Sequence, residues 1–455
     1  MGNKLGYPVT FSAAMLLSLS LDTTALQQSA PEPQTLSDQT EQPAPAGQKH
    51  SAERKRAGGA AVSDQSASYS PYTPYGRQYA LMREELARYQ SLSDTGIWQP
   101  LPAGQPLAPG VRDERVKTLR SLLMQYGDLP LSTDMAAATS PRTSETSASE
   151  TSASEINTTE TTAKAPPAAD LFDQQLRMGV ERFQRRHGLR ADGVVDKRTR
   201  DALNTPPEKR LKTLEANMTR WQQTPKDLGP RYLVVNIPEY TLRLMENEQE
   251  QYRMRVVVGK TKHQTPLLST RMTRVVFNPT WTVPRSIALK ELLPKGAGTL
   301  TAGGYRLINN RGKAVPFSGA NLRALRLGGV ALRQRGGEGN ALGRFKFIIP
   351  NQQAIFLHDT QKKELFGRSQ RAFSHGCVRL QKPRELAQIV LANQGRPGKW
   401  DQERLARFTT GSRTRSVELD QPIPVHIVYW TAWVDEEGLL NFRPDVYQLD
   451  KNTTE

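Results

Sequence analysis

At Gly229 and Pro230 the apolar residues of this chain change their period, and that change limits what the chain can fold into more than any other feature. Before it, apolar residues recur at helical spacing. After it they alternate, as half-buried strands do, and one regular layer cannot serve both patterns. Upstream, Tyr79, Leu81, Met82, Leu86, Tyr89 and Leu92 predict a helix over 77–92, and further helical stretches follow at 116–126, 171–183 and 196–203. Leu211, Leu214, Met218 and Trp221 mark one side of a connecting helix over 211–223. Downstream, strands are predicted at 232–237, 241–245, 252–259, 274–277 and 424–434, with turns at 238–239, 246–248 and 435–438. Separate helical and strand blocks in 455 residues predict a multidomain α+β protein.

Four stretches fit neither pattern. Residues 7–21 are apolar, preceded by Lys4 and followed by small residues ending at Ala25, the layout of a secretory signal peptide over 1–25. Residues 26–70 are rich in Gln, Pro, Ala and Ser and read as a disordered tether, and 134–169 carry a Ser/Thr/Glu repeat that cannot bury a core. The repeat interrupts a helical unit spanning 113–206. A helical and extended scaffold at 71–112 precedes that unit, and the connecting segment 207–229 follows it. The fourth stretch, about 284–343, is rich in Gly, Arg and Lys between strands, with short helices expected at 286–293 and 321–327. An insertion of this length reads as a lid or a substrate-gripping subdomain.

The net charge of +17 favours partners bearing carboxylates or phosphates. Nucleic acid is not expected, since the basic residues of the helical unit are scattered along solvated faces. No long uncharged apolar run follows the N-terminus, so no stable membrane span is expected in the mature protein. Cys377 is the sole cysteine. An exported chain with one thiol has no intramolecular disulfide, and such a thiol is a liability unless it is buried or used.

The neighbourhood of Cys377 favours use. Leu357 and His358 end a strand, and Ser374, His375, Gly376, Cys377, Val378, Arg379 and Leu380 follow. Gly376 allows a tight turn whose backbone N–H groups converge on one point. A free thiol, with a pKa of about 8.5, needs a neighbouring base or cation to present much thiolate at neutral pH. Residues on adjacent strands meet with better geometry than residues two apart on one strand. His358 is therefore assigned as general base, and His375 as a group that supports the site or orients substrate. The N–H groups of Gly376 and Cys377 are the natural oxyanion donors. Arg379 is placed to lower the thiol pKa, to hold a substrate carboxylate, or to point outward as a strand charge. Arg344, Lys346, Arg368 and Arg371 form a basic surroundings that would concentrate an acidic substrate. Trp281 and Phe356 are candidates to pack beside that substrate or to sit in the core.

Two resemblances follow from these residues. The run 183–203, with Phe183, Gln184, His187, Gly188, Leu189, Asp192, Gly193, Thr199, Ala202 and Leu203, resembles the second half of a small three-helix peptidoglycan-binding domain, departing from it at Asp196. His358 with Ser374, His375, Gly376, Cys377 and Arg379 resembles the signature of the L,D-transpeptidase catalytic domain, and the likeness extends over most of 231–450. The order of domains is similar to that of the larger Gram-negative members. The resemblance implies a mainly-β catalytic core over 230–450 with the lid inserted at 284–343. It implies Cys377 as nucleophile and His358 as base, with Ser374, His375, Gly376 and Arg379 lining the site. It also implies peptidoglycan stem peptides and glycan as partners, carbapenem-type inhibitors, a periplasmic location, and no cofactor.

The implied reaction acylates Cys377 with a tetrapeptide stem, releases D-Ala and passes the acyl group to a second stem as a 3→3 cross-link. Water or a lipoprotein amine as acceptor would give carboxypeptidation or lipoprotein attachment instead. A non-catalytic wall-binding protein of the same fold is expected to lose Cys377 or His358. A papain-like peptidase would place Cys before His, and a sortase-like enzyme would place the two farther apart. The other histidines, His50, His187, His263 and His426, fall in tether, turn or strand contexts, and no paired metal-ligand spacing is present.

Overall fold

A computed structural model of the chain describes residues 74–130, 169–225, 227–392, 394 and 400–453. The expected export signal, the tether with His50, and all of the 134–169 insertion except residue 169 lie outside the described residues.

The helical block consists of α1 (Pro74–Thr95), α2 (Arg115–Gln125), α3 (Gln174–Arg186), α4 (Lys197–Leu203) and α5 (Pro207–Gln223). Their apolar faces meet in one cluster that includes Met82, Tyr89, Leu119, Leu123, Phe183, Leu203 and Leu214. Asp173 and Asp196 cap α3 and α4, accepting from Leu176 N and Thr199 N. Asp196 thus supplies a helix cap at the position where the sequence departs from the peptidoglycan-binding pattern. Gln184 closes the turn between the two helices, its Oε1 accepting from Asp192 N and Gly193 N at 3.0 and 2.9 Å while Nε2 donates to Val194 O. His187 is buried, stacked on Phe183 and hydrogen-bonded to Phe183 O and Arg210, so its role is structural.

The strand block begins with β1 (Arg231–Asn236), β2 (Thr241–Glu246), β3 (Gln249–Gly259), β4 (Leu268–Phe277) and β5 (Trp281–Thr282). It continues with β6 (Tyr305–Asn309), β7 (Ala314–Val315), β8 (Val330–Gln334), β9 (Phe345–Ile348), β10 (Leu357–His358), β11 (Ala372–Ser374) and β12 (Val378–Leu380). The last three strands are β13 (Arg415–Val428), β14 (Ala432–Val434) and β15 (Leu440–Phe442). The main sheet runs β11-β3-β12-β10-β9-β4-β13-β1-β2, and β2 also pairs with β3, so the sheet closes on itself. β1 is buried almost throughout because both its faces are covered. Leu233 and Val235 enter the main core, whereas Tyr232 and Val234 pack with Leu228 against Trp430 and Met245.

Two strand predictions needed correction. β4 begins at Leu268, six residues before the expected start, because long pairing with β13 sustains a stretch in which Met272 is the lone buried apolar residue before Val275. The alternating run 424–434 is two strands. β13 ends at Val428, and Ala432, Val434, Leu440 and Phe442 of the β14–β15 hairpin pack into the helical cluster. The hairpin turn forms where expected, with Asp435 N donating to Leu439 O and Gly438 N to Asp435 O.

The insertion is also more regular than its composition suggests. It carries its own sheet, β5-β8-β6-β7, over a separate core of Val283, Leu292, Leu300, Leu307, Leu325 and Leu332. Helical turns at Arg285–Ile287 and Ala288–Leu292 and the helix Gly319–Leu327 fall where helices were expected.

The hairpin is tied to the helical block by a buried ion pair. Arg186 and Asp128 are 4% and 0% exposed, and Arg186 also donates to Leu440 O and Tyr126 O. Removing one partner leaves the other charge buried and unpaired, so Asp128→Ala should cost about 3–5 kcal/mol. Denaturant unfolding followed by tryptophan fluorescence measures this; an unchanged midpoint would remove the pair from the account.

Candidate active site

The site forms on the outer side of the closed sheet. Leu357 pairs with Val378 and Phe347, and all three side chains enter the core. The alternation of β10 therefore turns the neighbouring residue outward. His358 stands in register with Arg379 of β12 on one side and Lys346 of β9 on the other. Cys377 lies in the bend just ahead of β12, partly exposed and near enough to Lys346 and Arg379 to feel their charge. The parallel pairing of β10 with β12 thus brings together the two predicted reactive groups. Among the described residues no hydrogen bond joins them at rest; the sulfur lies 3.9 Å from Ala354 O.

His358 is buried, and its Nδ1 bonds the Asp359 carbonyl. A carbonyl only accepts, so Nδ1 carries the proton and Nε2 keeps its lone pair. Asp359 is itself fixed, Oδ2 accepting from Arg344 N and Oδ1 from Thr360 N at 2.8 and 2.7 Å. Gly343 makes room for that carboxylate: its φ is +64°, and a Cβ there would lie 2.3 Å from Asp359 Oδ2. Burial first, then the positive charges of Arg379 and Lys346, hold His358 down to about 3. The imidazole is therefore neutral across the physiological range. Burial pushes the Cys377 thiol up, partly offset by the Phe356 backbone N–H and by Lys346 and Arg379. The resting pair is thiol and neutral imidazole.

The turn ahead of the nucleophile is locked by Ser374, whose Oγ donates to Cys377 O at 2.6 Å and accepts from Gly376 N at 3.1 Å. The second contact corrects an expectation: the Gly376 N–H is already engaged, and of the two proposed oxyanion donors the Cys377 N–H is the one with no protein partner among the described residues. Gly376 has φ +113°, where a side chain is strained, and a Cβ would approach Ile355 Cδ1 to 3.1 Å. Thr265 pins the same turn, donating from Oγ1 to Gly376 O at 2.7 Å and accepting from Gly259 N. Tyr447 braces it further, donating to Gly259 O and accepting from Thr265 N.

His375 points away from the sulfur toward the inserted subdomain. Its Nε2 is 2.7 Å from Glu291 Oε1, and its ring centroid is 5.0 Å from that of His263. Phe356 stays at the site, edge-on to His358 and beneath Lys346, whose Nζ is 3.8 Å from the ring centroid. Trp281 does not: it pairs within the inserted sheet and packs against Tyr305 in that subdomain's core. The basic surroundings thin out as well. Arg344 donates to Asn278 Oδ1, Thr409 O and Gly411 O, and Arg371 is buried, donating to Val256 O, Arg368 O and Tyr240 O. Asp359, Thr265, Tyr447 and Glu291 are site residues that the sequence reading passed over. Asp359 follows His358 directly and Thr265 lies within the 231–450 likeness, so a signal existed for them. Nothing in the sequence ties Glu291 or Tyr447 to Cys377.

Residues 230–416 match the family model of the L,D-transpeptidase catalytic domain, and residues 162–203 match that of a "Putative peptidoglycan binding domain". A "Putative L,D-transpeptidase" of Haemophilus influenzae is 33% identical over 223 residues, which cover 48% of this chain and 44% of the relative. The chain thus spans less than half the length of that curated relative. Among solved structures, an L,D-transpeptidase from Stackebrandtia nassauensis is similar at 13% identity and TM-score 0.24, covering 72% of this chain and 96% of the other. L,D-transpeptidase 3 from Mycobacterium tuberculosis, in complex with a faropenem-derived adduct, is similar at 11% identity and TM-score 0.22, covering 44% and 60%. At TM-scores this low, neither likeness bears on the fold or the chemistry.

Because burial disfavours the thiolate, alkylation of Cys377 by iodoacetamide should show no plateau near neutrality and should climb with pH beyond the ordinary thiol range. A pH series read by intact mass checks this. A rate already flat from pH 6 upward would mean a preformed thiolate and contradict the assignment.

Proposed function

We propose that this chain, whose residues 230–416 carry an L,D-transpeptidase catalytic domain and whose residues 162–203 carry a peptidoglycan-binding domain, forms 3→3 cross-links between peptidoglycan stems through an acyl-enzyme on Cys377. The observation that carries the reading is the parallel pairing of the strand bearing His358 with the strand that Cys377 immediately precedes, with the His358 tautomer set by Asp359.

In the first step the thiol proton passes to Nε2 of His358 as sulfur bonds the carbonyl of the L-centre of the third stem residue, a diamino acid. The oxyanion that develops meets the Cys377 N–H. His358, now imidazolium, returns the proton to the leaving nitrogen as the C–N bond breaks. Free D-Ala departs and a thioester remains. In the second step the side-chain amine of another stem attacks the thioester, gives its proton through His358 back to sulfur, and leaves as the amide. Water in place of that amine gives carboxypeptidation, and a lipoprotein amine gives attachment to the wall.

The helical block would hold glycan near the catalytic face, the reaction would take place in the periplasm after export, and carbapenems would acylate Cys377 as donor mimics. No helix among the described residues is long and apolar enough to cross a membrane.

Incubation with disaccharide tetrapeptide, followed by chromatography and mass spectrometry of the products, tests this. Wild type should release D-Ala and accumulate 3→3 dimers. Cys377→Ala should do neither, and His358→Gln should fall by about 100-fold or more, the scale of a lost general base. Release of D-Ala without dimers would replace the reading with carboxypeptidation; no release at all would end it.

A further inference from the structure

Lys346 and Arg379 flank His358 in one register row across β9, β10 and β12. Both are substantially withdrawn from solvent, and among the described residues neither has a hydrogen bond or an ion pair with an acid. The acid acting on Arg379 is Glu364, too distant to pair with it, and Lys346 has only the Phe356 ring beneath it. Their basic neighbours differ: Arg344 and Arg371 are consumed by backbone carbonyls, and Lys363 pairs with Asp359. Withdrawing a cation from water without an anion is costly, and two such cations on either side of His358, both near enough to Cys377 to act on its thiol, amount to a built anion site awaiting its partner. Burial draws both groups below their ordinary pKa values, as expected of cations without counter-charge.

We infer that Lys346 and Arg379 form a carboxylate clamp that holds the terminal carboxylate of the residue expelled when Cys377 is acylated. The inference rests on the proposed acyl transfer. Strands lie about 4.8 Å apart, so β9 and β12 are roughly 10 Å apart across β10, a span that two long side chains can close over His358. In the leaving residue the carboxylate carbon is two bonds from the nitrogen that His358 protonates. A clamp centred over His358 therefore grips the group whose amine that histidine serves. Arg379 offers a planar fork to the carboxylate and Lys346 a point charge. The consequence is specificity: donors with exactly one residue beyond the scissile bond, ending in a free carboxylate, satisfy both cations. Longer or amidated ends leave them unpaired.

The test uses the full chain and two reagents that alkylate the same sulfur, iodoacetate and iodoacetamide, at low ionic strength with rates read by intact mass. A change in thiol pKa affects both reagents alike, so their rate ratio isolates anion attraction. Wild type should favour iodoacetate relative to K346Q and R379Q by about fivefold, the scale of one partly exposed ion pair. K346R should restore the wild-type ratio. Equal ratios in all four proteins would overturn the clamp. With peptide donors, wild type should lose turnover, through KM, when the terminal carboxylate becomes a carboxamide, and K346Q should no longer discriminate. Discrimination surviving in K346Q, or a loss confined to donors amidated at the retained residue's side-chain carboxylate, would overturn the assignment to the leaving residue. Absence of turnover by wild type would refute the acyl-transfer reading alone, since the reagent ratio still decides whether the clamp exists.

Discussion

Parallel pairing of two very short strands, Leu357–His358 and Val378–Leu380, is the constraint on which the site depends. Leu357 and Val378 are drawn into the core, and that burial turns His358 and Arg379 to the opposite face. A slip of one residue would turn the imidazole into the apolar core and draw Leu357 and Val378 out of it, so hydrophobic burial fixes the register of the candidate site. Strands this short cannot hold their pairing alone. β9 and β3 flank them in a sheet that closes on itself, leaving this region without a free edge.

The electrostatics follow from that register. The sheet places a neutral imidazole between two cations, and burial opposes charge on both sulfur and ring. The pair therefore rests uncharged. The backbone around the pair is held from several directions: Asp359 fixes the ring's tautomer, Ser374 and Thr265 fix the turn at Gly376, and Tyr447 reaches in from the far end of the chain. Such support from distant segments gives a reacting constellation its precision.

Much of this was legible in the sequence, for definable reasons. The period change at Gly229 and Pro230 separated helices from strands because apolar spacing alone reports it. Cys377, His358 and Ser374 stood out because a lone thiol, a strand-ending histidine and a glycine turn are each locally visible. The split of 424–434 was not legible: the alternation runs on unbroken, and only the helical core, distant in sequence, draws Ala432 and Val434 away from β13. The inserted subdomain's sheet was hidden by short strands and abundant Gly and Arg. Residue type leaves Trp281 open between the substrate side and the core, and partners 24 and more residues away place it in that subdomain's core. Lys346 is one of four similar cations in sequence; its register opposite His358, with Arg344 and Arg371 tied to backbone carbonyls and Arg368 over the Phe373 ring, sets it apart.

The central claim is that Cys377 carries the acyl group, and trapping that intermediate tests it most directly. The full chain would be mixed with a carbapenem, digested, and the modified peptide located by tandem mass spectrometry. The account expects a single adduct on the peptide containing Cys377, formed by wild type and absent from Cys377→Ala. An adduct on another residue, or one that persists in the variant, would contradict it.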